Sequence, residues 1–266
     1  MSNKVKPKKP FVPEDNKNDP NLSVIGSLLG EISWAGKTVN KYRNGGKGLE
    51  NVLSAEVLQL LDFLPRKEFL GEIIKTLHCE NSVVIEKLYS EINEATFNLF
   101  PGNHYLKAQA TSHQKGVSVQ PDGILETPSV YGLLELKRIK KGRFQPLQLA
   151  KEFYLVTREA RDRIPLLILI ISKEPPVAVQ SNGRVDIFDY IKKTLSDVYQ
   201  IADSHHLTVN QVKGLVNQHV AWITWPEIRS TVSQLKEKYD GSKSSINASI
   251  VRICDSLISA IDFHSN

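Results

Sequence analysis

The chain has little with which to build covalent staples or a membrane span. Its 266 residues include two cysteines, Cys79 and Cys254, too few and too far apart in sequence for a disulfide framework or a zinc knuckle. No apolar run approaches the roughly 20 residues that a span requires, and the longest, Ile164–Ile171, is interrupted by Pro165. Lys4, Lys6, Lys8 and Lys9 have no apolar segment behind them, so a secretory signal is not expected. Gly45-Gly46-Lys47-Gly48 lacks the spacing of a phosphate loop and follows no strand pattern. Nothing resembles a nucleophile elbow, and no internal repeat is visible. Together these absences lead to the expectation of a cytoplasmic protein in a reducing compartment.

What is present is enough apolar material for a sizeable core. Apolar residues make up 41% of the chain, which fits one large domain or one domain with a helical appendage. The net charge of +5 and a pI near 9.0 are compatible with a polyanionic partner without requiring one.

Periodicity divides the chain. Residues 1–20 are rich in Lys, Pro, Asn and Asp and read as a disordered basic arm. Residues 21–80 repeat apolar positions at three and four, as in Leu22, Ile25, Leu28, Leu29, Ile32 and again Val52, Val57, Leu60, Leu61, Leu64. That predicts a helical subdomain, with Pro65 opening its third helix. A further helix is predicted over 81–100. Strands follow at 104–111, 117–125 and 131–139, then a helix over 144–160. The uninterrupted LLILII of residues 166–171 predicts a fully buried central strand. A Pro/Ser/Asn/Gly-rich loop over 173–183 precedes a helix over 186–202. Thr208 and Gln211 form a capping box for a short helix, and residues 219–224 read as one more strand. The core is therefore assigned to 81–225, with C-terminal helices over 226–266 packed on it. This order implies a three-layer α/β/α sandwich around a central mixed β-sheet, with helical additions at both ends.

The chemistry concentrates in residues 117–143. Pro121-Asp122 opens one strand, and Glu135-Leu136-Lys137 lies within the next, across a Thr127-Pro128-Ser129 turn. Alternate strand residues share a face, so Glu135 and Lys137 point together about 7 Å apart while Leu134 and Leu136 face the core. Pairing across the turn brings Asp122 to the same end of the sheet. Two carboxylates and an amine then converge, a set suited to holding a divalent cation and activating water. The bland alternative is an exposed Glu–Lys pair on a half-solvated face. His205-His206 lacks a spaced third ligand, and Trp222 and Trp225 suit core anchors at a strand–helix junction better than base-stacking platforms.

Pro121-Asp122, Glu135-Leu136-Lys137 and the surrounding helix–strand–strand–strand–helix–strand order resemble the PD-(D/E)XK nuclease superfamily, the restriction-endonuclease-like fold. The resemblance covers residues 81–172 and extends to the strand at 219–224. It implies that Asp122, Glu135 and the Leu136 carbonyl ligate Mg²⁺, with Mn²⁺ as a substitute, and that Lys137 orients the attacking water. It also implies a helical acid, for which Glu91 is the choice and Glu94 and Glu86 the fallbacks. Lys140, Lys141 and Arg143 would neutralise phosphates of a bound strand, and Gln148 would touch the site. One branch of the superfamily places Gln-x-x-x-Tyr on the helix after the lysine. Here Gln148 is followed at that spacing by Glu152, with Tyr154 two residues further on, a departure from that branch.

The implied function is metal-dependent hydrolysis of phosphodiester bonds, with DNA as the expected partner, in defence, restriction or DNA processing. A homodimer or protein partner would dock through the helical additions. Two alternatives stand beside it. The fold could serve as a catalytically inactive nucleic-acid-binding or assembly module, or Glu-x-Lys could be incidental to a helical scaffold. The second alternative requires Asp122 and Glu135 to lie far apart.

Overall fold

The computed structural model describes residues 46–108, 116–140, 142–203, 205–241 and 244–265. The basic arm, the helical pattern expected before residue 46, the end of the strand expected to reach residue 111, and Lys141 lie outside the described residues.

Among the described residues, eight α-helices and a central five-stranded sheet form an α/β/α sandwich. The helices are α1 (Gly46–Phe63), α2 (Leu70–Lys75), α3 (Ser82–Ser90), α4 (Gln148–Glu159), α5 (Ile187–Ile201), α6 (Val209–His219), α7 (Trp225–Lys236) and α8 (Ser245–Ser265). The strands are β1 (Thr96–Leu99), β2 (His104–Lys107), β3 (Val117–Val119), β4 (Gly123–Glu126), β5 (Val130–Leu136), β6 (Ile164–Ile171), β7 (Val177–Val179), β8 (Gly183–Val185) and β9 (Val220–Thr224). The central order is β1-β4-β5-β6-β9. β1, β4 and β5 pair antiparallel, and β5, β6 and β9 pair parallel. The parallel β5–β6 pair needs a crossover, which α4 supplies.

Strand parity sorts the core into two layers. Val130, Leu134 and Leu136 pack with the buried sides of α1, α2, α3, α7 and α8. Tyr131 and Leu133 pack with α4, α5 and α6. All seven residues of β5 are buried, as expected of a strand covered on both faces. Glu135 continues the row of Tyr131 and Leu133, and Lys137 follows just past the strand. The row thus turns from apolar to charged beside the first turn of α4, at the carboxyl end of the parallel strands, where open α/β sheets keep their sites.

Four local expectations are corrected. The helix expected over 81–100 stops at Ser90, and after one 3₁₀ turn (Ile92–Glu94) residues Thr96–Leu99 form an edge strand of the sheet. Phe97 and Leu99 alternate with exposed Thr96 and Asn98, a period of two that four residues are too few to reveal. The strand at 117–125 is broken at Pro121-Asp122: β3 pairs with β2 in a separate ribbon, and β4 pairs with β5. Pro65 precedes a turn, and α2 begins at Leu70. Finally, the loop expected over 173–183 contains β7 of a hairpin completed by β8.

Candidate active site

Asp122 is pinned from both sides. Its N–H donates to the Leu134 carbonyl (3.1 Å) and its carbonyl accepts from Phe100 N–H (2.9 Å). Its Oδ2 accepts from the Leu136 N–H at 2.7 Å. Glu135 Oε1 accepts from Lys137 Nζ (2.5 Å) and from Gln148 Nε2 (2.6 Å), where α4 begins. Lys137 donates its backbone N–H to the Ile170 carbonyl (2.8 Å). The indole N–H of buried Trp225 donates to the Lys137 carbonyl at 2.7 Å. Trp225 is thus a core anchor that also fixes the strand end carrying Lys137. Trp225→Phe keeps most of the apolar bulk but removes that donor from a buried carbonyl, so stability should fall by about 1–3 kcal/mol. Urea unfolding of the two proteins reads this directly, and an unchanged midpoint would mean the bond contributes nothing.

The third acid is Glu50, from α1. Its Oε1 accepts from Lys137 Nζ at 2.9 Å and its Oε2 from the Arg138 N–H at 3.3 Å. Glu50, Asp122 and Glu135 each offer an oxygen, and the three lie within 4.8 Å of one another. Ligands about 2.1 Å from one ion can lie at most about 4.2 Å apart, so small side-chain rotations close the set. Asp122 and Glu135 therefore lie together, as the paired-strand reading requires.

These groups are deeply placed. Asp122 is 8% exposed, Glu135 2%, Lys137 6% and Glu152, on α4, 1%. Burial pushes the carboxyls of Asp122 and Glu152 well above their ordinary range, and the charge on Glu135 adds to both shifts. Burial also raises Glu135, against the opposing pull of Lys137. For Lys137, burial alone favours the neutral amine. Glu135, then Glu50, Asp122 and Glu152, outweigh it and hold the ammonium above its usual value. Both carboxyl oxygens of Glu152 are buried without a hydrogen-bond partner of ordinary geometry. Four carboxyls thus face one ammonium, and an unpaired buried carboxyl costs several kcal/mol unless protonated or matched by a cation. An all-oxygen donor set with surplus negative charge fits Mg²⁺ or Mn²⁺.

The acids lie at the base of a cleft of about 700 Å³. Its walls carry Arg138, Arg143 and Lys151 together with Asn51, Gln120, Gln145, Gln148 and Gln180. Of the residues read from sequence, Asp122, Glu135, Lys137, Arg143 and Gln148 meet in this cleft. Lys140 is exposed and is not among the lining residues.

Glu91 does not reach the site. Its carboxylate accepts from the N–H and hydroxyl of Ser129, in the β4–β5 turn. The four residues of β4 place that turn about 13 Å or more from Asp122. Those bonds and the Thr127 hydroxyl pull the Glu91 carboxyl below its ordinary value, although burial acts the other way. Glu86 and Glu94 are exposed. Sequence reading missed Glu50, although a signal exists: Glu50 precedes Leu53, Val57, Leu61 and Leu64 at helical spacing, a charge on an otherwise buried stripe. His205 and His206 stack on each other, and His205 accepts from the Leu207 N–H, which accounts for the pair structurally. Trp222 stacks on His78 with ring centroids 3.9 Å apart.

No family model, curated protein or solved structure matches this chain.

Proposed function

We propose that the protein is a divalent-metal-dependent nuclease, with DNA as its substrate and a PD-(D/E)XK-like site. The observation that carries this reading is the convergence of Glu50, Asp122 and Glu135 with Lys137 at the base of a cleft walled by cations. Asp122 and Glu135 would hold the ion together with Glu50 and the Leu136 carbonyl. When bound, Mg²⁺ or Mn²⁺ supplies Lewis acidity and a water acidified toward neutral pH.

The chain's own groups have distinct parts. Gln148 and Lys137 fix the rotamer of Glu135 through its Oε1. Lys137 stands beside the acids, where an ammonium can orient a water and offset charge growing on a phosphate. Arg143 and Lys151, on the walls, suit flanking phosphates, contacts that position a strand without reading its sequence. The two cysteines are free, which fits a reducing cytoplasm. Among the described residues no helix is long and apolar enough to cross a membrane.

The test is a cleavage assay on single- and double-stranded DNA and RNA with Mg²⁺ or Mn²⁺, run beside Lys137→Ala. Metal-dependent products from the native chain, lost by at least about 10²-fold in the variant, are expected. Cleavage that persists in EDTA or in Lys137→Ala would sink the reading. Metal-independent binding with no cleavage on any substrate would instead favour the inactive, nucleic-acid-binding module.

A further inference from the structure

The β7–β8 hairpin occupies a position that cleft chemistry does not explain. Its register pairs Val177 with Val185 and Val179 with Gly183, and its apolar side, Val177 and Val179, is buried beside Phe144. The tip turns through Ser181 (φ 64°) and Gly183 (φ 73°), both left-handed. Asn182 Nδ2 closes it by donating to the Gln180 carbonyl at 3.1 Å. The hairpin is joined to the loop that carries Arg143 and Gln145. Phe144 N–H donates to the Ala178 carbonyl, and Gln180 N–H donates to the Phe144 carbonyl, each at 2.9 Å.

This joint separates two concavities that share one wall. On one side is the catalytic cleft, with Gln180 on its rim. On the other is a hollow of about 60 Å³ lined by Lys137, Gly142, Phe144, Ser172, Lys173 and Arg184 among others. Lys173 and Arg184 are exposed, and neither side chain has an ion pair or hydrogen bond among the described residues. Glu174, beside Lys173 in sequence, pairs with neither cation. Two exposed cations, with no ion pair among the described residues, therefore flank a small hollow one wall away from the acid cluster.

We propose that Lys173 and Arg184 form a second phosphate subsite, in which the hairpin holds the nucleic-acid backbone outside the cleft and sets the substrate's course across it. This rests on the nucleic-acid reading of the cleft and deepens it. A strand whose scissile phosphate lies at the acids crosses the Gly142–Gln145 segment and places a later phosphate between the two cations. Affinity then depends on substrate length on that side of the cut, and the contact belongs to binding and not to the chemical step.

The test is the double variant Lys173→Ala/Arg184→Ala in the full chain. Anisotropy of a labelled 30-base-pair duplex in EDTA, from 50 to 200 mM NaCl, would be read beside single-turnover cleavage at saturating enzyme. Each neutralised phosphate contributes about 0.9 to the slope of log K against log salt. The double variant should therefore lose about 0.9 of slope, for the one phosphate held between the two cations, and bind about tenfold more weakly at 100 mM. Its saturating cleavage rate and Mn²⁺ affinity should stay within twofold of native. Arg184→Lys alone should keep the native slope. Lys87→Ala/Lys193→Ala, with the same charge loss on exposed positions of α3 and α5, is the control. A slope change no larger than in that control overturns the subsite while leaving cleavage by the native chain intact. A native chain that neither binds nor cleaves any nucleic acid overturns the subsite and the nuclease reading together.

Discussion

Replacing Glu135 with Gln should lower metal-dependent cleavage by about 10³-fold while the protein stays folded. Gln keeps the volume and an oxygen able to accept from Lys137 Nζ and Gln148 Nε2, so the packing of β5 against α4 is preserved. What it loses is the charge that holds a cation and offsets the buried ammonium. Glu50→Gln should follow the same course less steeply, at about 10–10²-fold, because Glu50 lies at the edge of the site with 18% of its side chain exposed. Glu91→Gln should leave the rate within twofold, since its bonds go to Ser129 in the turn at the far end of β4. Single-turnover rates and Mn²⁺ binding measured on the same three variants decide the matter. If Glu91→Gln were inactive and Glu50→Gln fully active, the third acid would be misassigned and the site would have to rearrange on binding.

The contrast between those two glutamates shows what the sequence makes legible. Asp122, Glu135 and Lys137 can be found because their relation is local: strand parity and one hairpin turn carry all three to one sheet end. The same parity sorts Leu134 and Leu136 into the opposite layer, as expected. Glu50 reaches them only because α1 packs across the end of the sheet, and no spacing in the chain states that packing. Its single trace is a carboxylate on a leucine- and valine-lined stripe. The short edge strand β1 was hidden for another reason. Ala95 and Leu99 continue the helical period of Leu88 and Ile92 by coincidence, and four residues of alternation cannot compete with it. The β7–β8 hairpin carried a readable sign that composition masked. Asn182-Gly183 between Val177, Val179 and Val185 is a hairpin pattern inside a stretch whose Pro, Ser and Gly content reads as loop.

Without a divalent cation, the protein should lose stability as pH rises from about 5 to 8, and Mg²⁺ or Mn²⁺ should restore it. Asp122, Glu135 and Glu152 all have carboxyls raised by burial. The unfolded chain releases these protons near its ordinary carboxyl values, about 4, while the folded chain retains them to higher pH. In that interval the folded state binds more protons, so raising the pH favours unfolding by about 1.4 kcal/mol per pH unit for each proton retained. Lys137, held above its usual value, is charged in both states across this window and adds no slope there. His104, His205 and His219 are lowered, first by burial. They contribute stability above the unfolded histidine value that is lost as pH falls, and so act in the opposite sense. The clean comparison is therefore with Glu152→Gln, in which the histidines are unchanged and one of the carboxyls that retain a proton is gone. Its denaturation free energy should fall less steeply with pH than that of the native protein, by about 1.4 kcal/mol per unit at most. A cation bound to the native chain at 100 times its dissociation constant should add about 2.7 kcal/mol, and more of it at pH 8 than at pH 5, because the ion competes with the retained protons. Parallel pH slopes for the native chain and Glu152→Gln would show that Glu152 shares its environment with a counter-charge already present. A midpoint indifferent to both ions at pH 8 would show that the acids are matched from within, by Lys137 and by protons, and have no vacancy for a metal.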